Sequence, residues 1–141
     1  MALYKSTLIA LGFALASPIA LAAPLTFTVE GVEARGGTLY IGVQTEAMFL
    51  QDDGVAGEKI KTPVAGSHTV TFDLPEGDYS VSVWHDLDDD EVFDRAESGW
   101  PEDGWAMING SSLRGIPTFE AVKIAVPAGG ASATETIIYP K

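Results

Sequence analysis

Apolar and polar residues alternate with a period of two along most of the chain that follows residue 22. This period is typical of β-strands that bury one face and expose the other, and helical spacing of apolar residues is almost absent. Residues 59–64 form a doubtful additional strand, and residues 48–50 suit a short helical turn as well as a strand. The pattern is clear in six segments: residues 25–29, 39–43, 70–74, 79–83, 122–126 and 137–139.

The connections between these segments carry the residues of tight turns. Pro75-Glu76-Gly77-Asp78 and Pro127-Ala128-Gly129-Gly130 are examples, and such turns recur about every ten residues. Short alternating strands with regular turns are typical of two packed sheets. We therefore predict an all-β fold, an antiparallel Greek-key sandwich of about seven strands that is immunoglobulin-like or transthyretin-like.

One long segment interrupts this regularity. No alternating apolar run is visible between Asp86 and Pro117, although loops longer than roughly 12–15 residues are usually functional or disordered. The segment contains Trp100, Trp105 and Met107, which is more apolar surface than a disordered linker carries. We therefore predict an ordered loop, and some specific interaction must stabilise its conformation.

The beginning of the chain resembles a secretion signal. Lys5 provides a positive start, residues 8–16 an apolar stretch, and Ala20-Leu21-Ala22 a small-residue cleavage site. A membrane anchor fits less well because Ser17-Pro18 interrupts a run already shorter than the ~20 residues that a span needs. We predict a signal peptide at residues 1–22 and one domain at residues 23–141. The mature protein would then have no membrane span and would be exported to the periplasm or beyond.

The charge balance narrows the range of partners. The chain has a formal net charge of −12, and removal of Lys5 with the signal would change it to −13. Such a chain repels phosphate backbones and anionic lipids, so nucleic acid and membrane surfaces are not expected partners. Cations are expected ones. There is no cysteine, so a disulfide is excluded and zinc is disfavoured.

The segment HDLDDDEVFDRAESGW, residues 85–100, holds seven carboxylates and one arginine. With Asp86 as position 1, its acids match the twelve-residue calcium loop, in which side chains at positions 1, 3, 5 and 9, a carbonyl at 7 and a glutamate at 12 bind the ion. Calcium needs six to eight oxygens, and alternate residues of a curled loop can all point to its centre. The predicted ligands are Asp86, Asp88, Asp90, the Val92 carbonyl, Asp94 and Glu97.

Several local features follow from this interpretation. Glu91 stands at position 6, where the chain bends with positive φ and where glycine is usual, at a cost of roughly 1 kcal/mol. Phe93 should pack on the domain, and Asp89 should lie outside the ring. The alternative is an acidic turn without an ion. Carboxylates 4 Å apart repel by about 1 kcal/mol per pair in water, which makes that turn a poor choice for an ordered loop.

The ordered segments LPEGDYSVSVWHDLDDDEVFD, GWPEDGW and GIPTFEAVKIAV resemble a bacterial family of small secreted proteins of unknown function, DUF2141. The resemblance covers most of residues 23–141 and implies an exported β-sandwich with a purposeful acidic loop, but no established activity. It rests on Pro75, Gly77, Tyr79, His85, Asp86, Asp88, Asp90, Asp94, Gly99, Pro101, Gly104, Gly115, Pro117, Phe119 and Ala121.

The sequence also departs from that family pattern. Glu91 replaces the loop glycine, Asp103 replaces a glutamate, and residues 106–108 replace a Gly-Phe-Ser segment. The family places no regular acid at the position of Glu97. Asp103 is therefore the rival of Glu97 for completing the metal shell.

Three further residues are candidates for a functional role. His85 is expected to be partly buried and hydrogen-bonded to a neighbouring carbonyl or carboxylate. The alternative is that His85 holds Asp86 in place for metal binding. Trp100 and Trp105 either cover the end of the sandwich or offer aromatic faces to a carbohydrate or peptide. No nucleophile motif or helix-borne histidine pair is present.

These observations favour an exported calcium-binding module, structural or ligand-binding, that is not an enzyme. The alternatives are a small periplasmic hydrolase that uses a metal or carboxylates, and a binding domain without an ion.

Overall fold

A computed structural model describes residues 21–141, so the predicted signal peptide lies outside the described residues except for its last two positions. Within this range a 3₁₀ turn covers Glu46–Met48, a second covers Gly110–Ser112, and helix α1 covers Phe119–Val122. The strands of the same range are β1 (Ala23–Val32), β2 (Thr38–Gln44), β3 (Ala56–Lys61), β4 (Gly66–Leu74), β5 (Gly77–Asp86), β6 (Gly104–Met107), β7 (Lys123–Val126) and β8 (Ala131–Thr136).

The strands form two sheets, which confirms the all-β sandwich. One sheet has the order β4-β1-β8, and the other has the order β3-β2-β5-β6, with β7 pairing the beginning of β5. The prediction of purely antiparallel pairing is wrong at one place, because β1 and β8 are parallel. A parallel pair needs a long connection, and here nearly the whole domain lies between the two strands.

The core lies between the sheets and consists of the inward residues of the alternating pattern. Leu25, Phe27 and Val29 of β1 are fully buried, as are Val43 of β2 and Val81 of β5. Burial of such a side chain contributes about 1.5–3 kcal/mol relative to exposure. The period of two along the sequence therefore corresponds directly to the packed interior.

The structure corrects the sequence interpretation in the second half of the chain. Residues 104–107 were expected in a loop without a strand, but they form β6, whose alternation is hidden because Trp105 and Met107 are apolar on the outward side. The last strand is β8, made of small and hydroxylated residues, and not residues 137–139. Those residues form a tail that makes one bridge, from Ile138 to Trp105. The doubtful strand at 59–64 exists as β3, with earlier bounds.

None of the helices within residues 21–141 has the length and apolar character that a membrane crossing needs.

Candidate metal centre

Asp86 is the last residue of β5 and the most deeply placed carboxylate of the acidic loop. Its side chain is fully buried, and Oδ2 accepts a hydrogen bond of 2.9 Å from the backbone N–H of Glu91. Oδ1 is also buried, and within the described part of the chain it has no hydrogen-bond partner. A buried carboxylate oxygen without a donor is costly, so this atom calls for a positive partner.

Gly37, just before β2, permits this arrangement. It has a φ of +67°, and an added Cβ would lie only 2.0 Å from the backbone carbonyl oxygen of Asp86. Only glycine can occupy this position, because any side chain would overlap the end of β5.

Asp88 and Asp90 are exposed residues that turn back toward Asp86. One carboxylate oxygen from each of the three residues lies within 4.8 Å of the other two. Asp88 Oδ1 accepts the N–H of Asp90 at 3.3 Å, and Asp90 Oδ1 accepts the N–H of Val92 at 2.8 Å. These local bonds bend the chain into a tight coil that gathers negative oxygens on one side.

The backbone conformation of this coil agrees with the sequence prediction. Glu91 has a φ of +60°, which confirms the left-handed bend expected at position 6, and Asp89 has a φ of +57°. Asp89 lies away from the group of three, and its Oδ1 accepts a 2.6 Å hydrogen bond from the hydroxyl of Thr38. Two non-glycine residues in this conformation cost roughly 1–2 kcal/mol each, so other contacts hold the loop in place.

Asp103 supplies part of that support from the other end of the loop. It is buried, and its Oδ2 accepts hydrogen bonds from the indole N–H of Trp84 at 2.8 Å and from the N–H of Asp94 at 3.1 Å. Its Oδ1 faces the N–H of Leu87 at 3.4 Å. One carboxylate thus joins the sheet to both branches of the loop, a role that the sequence pattern did not reveal.

The remaining predicted ligands, Asp94, Val92 and Glu97, lie outside the group of three. Asp94 is half-buried beside Asp103, whereas the side chain of Val92 is exposed. Glu97 is exposed and lies in a turn closed by the N–H of Gly99 and the carbonyl of Ala96. The structure therefore gathers Asp86, Asp88 and Asp90, and it places Glu97 in a separate turn.

The electrostatic environment of the loop favours protonation in the absence of a cation. Partial desolvation raises the pKa of Asp88, and the negative charges of Asp90 and Asp94 raise it further, against a backbone hydrogen bond that lowers it. Partial desolvation also raises the pKa of Asp94, with additional contributions from Asp90 and Asp103. These groups retain protons more readily than isolated aspartates because they are partly desolvated and because negative charge is concentrated around them.

A ladder of stacked side chains attaches the loop to the outer face of the larger sheet. The rings of Tyr40 and Trp84 stack with centroids 4.7 Å apart, and Phe93 meets Trp84 edge-on at 6.1 Å. Lys59 lies over Tyr40 at 5.1 Å, and the guanidinium of Arg95 lies over Phe93 at 4.8 Å. The expectation that Phe93 packs on the domain is confirmed.

With this geometry established, comparison with protein families gives one match. The family model described as an uncharacterized protein conserved in bacteria, DUF2141, matches residues 27–135. The chain belongs to the DUF2141 family. No curated protein and no solved structure matches the chain.

The structure shows what several of the residues that match the DUF2141 pattern do in the fold. The hydroxyl of Tyr79 donates a 2.7 Å hydrogen bond to the carbonyl of Pro75 and holds the turn before β5. An added Cβ on Gly104 would lie 2.5 Å from the ring of Tyr139. The absence of a side chain at Gly104 therefore leaves room for Tyr139 of the C-terminal tail.

His85 of this DUF2141 chain is fully buried and forms two hydrogen bonds. Nε2 lies 2.7 Å from the carbonyl of Gly36, and Nδ1 lies 2.7 Å from the hydroxyl of Tyr139. Because a carbonyl only accepts, Nε2 donates to Gly36, which leaves Nδ1 to accept from the hydroxyl of Tyr139. The bond to a neighbouring carbonyl agrees with the sequence interpretation, and the ring's partners are Gly36 and Tyr139 and not Asp86.

Trp100 and Trp105 lie on the same side of the larger sheet. Trp100 stands on the turn between Arg95 and Pro101 and is 68% exposed, whereas Trp105 is a half-buried residue of β6. Both residues line one open groove on the outer face of the sheet.

Proposed function

We propose that this DUF2141 protein is an exported calcium-binding β-sandwich module whose ion orders the loop at residues 86–103. The observation that carries the proposal is Oδ1 of Asp86, a buried oxygen without a donor within residues 21–141, in a residue that groups with Asp88 and Asp90. A hard divalent cation would satisfy this atom and neutralise the repulsion among the three carboxylates.

The spacing of the oxygens suits calcium. Calcium–oxygen distances reach about 2.6 Å, so two oxygens on one ion can be about 5 Å apart. The 4.8 Å limit within the group falls inside this value, and all three carboxylates can contact one ion. Zinc fits less well, because it prefers nitrogen and sulfur ligands and the chain has no cysteine.

The proposed shell extends beyond the group of three. The charges of Asp90 and Asp86 act on Asp94, and Val92 offers a carbonyl, so these two residues and water would complete the coordination. Asp103 already accepts hydrogen bonds from Trp84 and Asp94, and we assign it the support of the loop. Glu97 would have to leave its turn to reach the ion, so we do not include it among the ligands.

The setting is consistent with a modest affinity. Calcium modules outside the cell bind with dissociation constants of about 10⁻⁴–10⁻³ M. The first strand begins at Ala23, directly after the cleavage site expected at Ala22, which supports export of a folded body made of residues 23–141. In such a module the ion is structural, since it holds together a loop of left-handed residues and converging charges.

The proposal is tested by calorimetric titration of the metal-stripped protein and by thermal melts with and without calcium. At tenfold excess over the dissociation constant, the ion should add about 1.4 kcal/mol to the free energy of unfolding. Asp86→Asn should abolish this gain: the amide oxygen is held by the N–H of Glu91 at the position of Oδ2, so the amide nitrogen, which cannot ligate calcium, replaces Oδ1. Asp89→Asn is the matched control, since Asp89 lies outside the group, and it should keep the gain.

Two results would count against the calcium site. A melting temperature that is indifferent to millimolar calcium would exclude an ordering ion. Equal loss of the calcium effect in Asp86→Asn and Asp89→Asn would mean that the carboxylates act through net charge and not through a defined shell.

A further inference from the structure

A furrow of small residues crosses the outer face of the larger sheet. Gly57 of β3, Gly42 of β2 and Ser82 of β5 lie side by side in adjacent strands. An added Cβ on Gly42 would meet only the hydroxyl of Ser82, at 3.9 Å. The sheet surface is therefore open at this row, although its neighbouring rows carry large side chains.

Aromatic residues form one wall of the furrow. Tyr40, Trp84 and Trp105 are cross-strand neighbours in the adjacent row, and Met107 lies beside Ser82 at the end of the furrow. Trp100 contributes from the turn of the acidic loop. The groove encloses about 1850 Å³ of open space, more than the roughly 300–1,000 Å³ of a small-molecule pocket. This size suits an extended ligand.

The aromatic rings of this wall differ in what covers them. Tyr40 stacks on Trp84 and is covered by Lys59, and Trp84 also receives the edge of Phe93. For Trp100 and Trp105, in contrast, no ring or cation partner occurs in the part of the chain that the structure describes. Trp100 is 68% exposed, so its ring is available for stacking on a ligand, whereas Trp105 is half-buried against Gly110 and offers only part of its ring.

The charges around the groove are nearly balanced, unlike those of the chain. Four acids and three bases line it, a difference of −1, whereas the whole chain has a charge of −12. Across residues 21–141 no ion pair joins these acids to these bases. Arg95 and Arg114 donate from one N–H group to backbone carbonyls, so their other N–H groups and the carboxylates are the groups that can contact a ligand. The charged lining residues are Asp52, Asp53, Glu58, Glu91, Lys59, Arg95 and Arg114.

From this complementarity we propose that the groove binds a neutral polysaccharide chain. Sugar rings offer apolar faces for Trp100 and Trp105, and their hydroxyls both donate to acids and accept from bases. A second copy of the chain would bring two strongly negative bodies together, and a nucleic acid would meet the same repulsion. The furrow itself belongs to the sheet and does not need the calcium site, although Trp100 lines the groove from the acidic loop that the proposed ion orders.

The test is affinity electrophoresis and calorimetric titration of the full mature chain with neutral soluble polysaccharides, namely a β-1,4-glucan, a β-1,3-glucan, a xylan and an α-glucan. At least one should bind. Gly42→Val should weaken its binding at least tenfold, because the new side chain would occupy the furrow and its Cβ would meet no atom closer than 3.9 Å. Trp100→Ala should also weaken binding, and this exposed residue can be removed without loss of the core.

Ser132→Val is the matched control, because it adds the same kind of side chain to the outer face of the other sheet. It should leave binding unchanged. Absence of binding to all four polysaccharides would overturn the proposal, as would equal binding by Gly42→Val. Self-association that Gly42→Val abolishes, without sugar binding, would assign the groove to a second copy and would also overturn it.

Each titration is run in millimolar calcium and again in a chelator. Sugar binding that persists in the chelator and is lost in Gly42→Val supports the groove even if the calcium site fails. Calcium binding without sugar binding would support the calcium site and overturn the polysaccharide proposal.

Discussion

At the scale of single residues, the grouping of Asp86, Asp88 and Asp90 could be predicted from spacing alone. Alternate residues of a coiled loop point to one side, and the left-handed bend at Glu91 follows from the same geometry. The support given by Asp103 could not be predicted in this way. It depends on Trp84, a residue of the sheet that only the folded chain brings within 2.8 Å.

The two kinds of aspartate should respond in opposite ways to neutralisation. Asp103→Asn should lower the free energy of unfolding of the calcium-free protein by about 2–4 kcal/mol, because hydrogen bonds to a charged group contribute about 1.5–3 kcal/mol each. Asp88→Asn should instead raise it slightly, since it relieves repulsion. Urea denaturation in a chelator measures both.

Glu102→Gln is the control for Asp103, because Glu102 is its exposed neighbour and should change stability by less than about 0.5 kcal/mol. If Asp103→Asn stabilised the calcium-free protein as Asp88→Asn does, Asp103 would belong to the converging ring and not to its support.

At the scale of elements, the alternation of apolar and polar residues identified the strands that bury one apolar face and expose a polar one. β1, β2, β4 and β5 are of this kind, and they contain most of the core. β6 was missed because both of its faces are apolar, and β8 was missed because its less exposed residues are Ala131, Ala133 and Glu135, which form no strongly apolar face. The C-terminal tail appeared to be a strand because Ile137 and Tyr139 are anchored in the interior, yet its bonds join it to separate elements.

Tyr139 is the anchor of this tail. Its hydroxyl accepts the N–H of Glu33 at 3.0 Å and donates to Nδ1 of His85, and burial raises the pKa of Tyr139, so the hydroxyl keeps its proton. Tyr139→Phe should lower the free energy of unfolding by about 1–3 kcal/mol, because Nδ1 of His85 is left buried without a donor. Tyr40→Phe is the control, and it should be nearly neutral in the same urea denaturation. Equal effects would mean that the His85 contact contributes nothing.

At the scale of the whole molecule, the chain has a net charge of −12, and several of its carboxylates are gathered in one loop. β5, which ends at Asp86, and β6, which begins at Gly104, are paired strands of the larger sheet and hold the two ends of that loop, so repulsion within the loop acts against their pairing. A cation would turn this repulsion into an attraction between the two branches. The stability of the domain and the occupancy of the loop are therefore linked.

This linkage has a definite sign with pH. The pKa values of Asp88 and Asp94 are raised above the ordinary value of 3.8, so the folded chain binds more protons than the unfolded chain in that window. Stability contributed by these groups is then lost as pH rises through the window. The calcium-free protein should melt at a higher temperature near pH 4, close to the ordinary aspartate value, than at pH 7, whereas in saturating calcium the order should reverse, because protons compete with the ion. Thermal melts across this range measure both, and the double variant Asp88→Asn, Asp94→Asn should flatten the calcium-free profile.

A calcium-free melting temperature that instead rose steadily with pH, in the parent and in the double variant alike, would locate the dominant titration outside the loop.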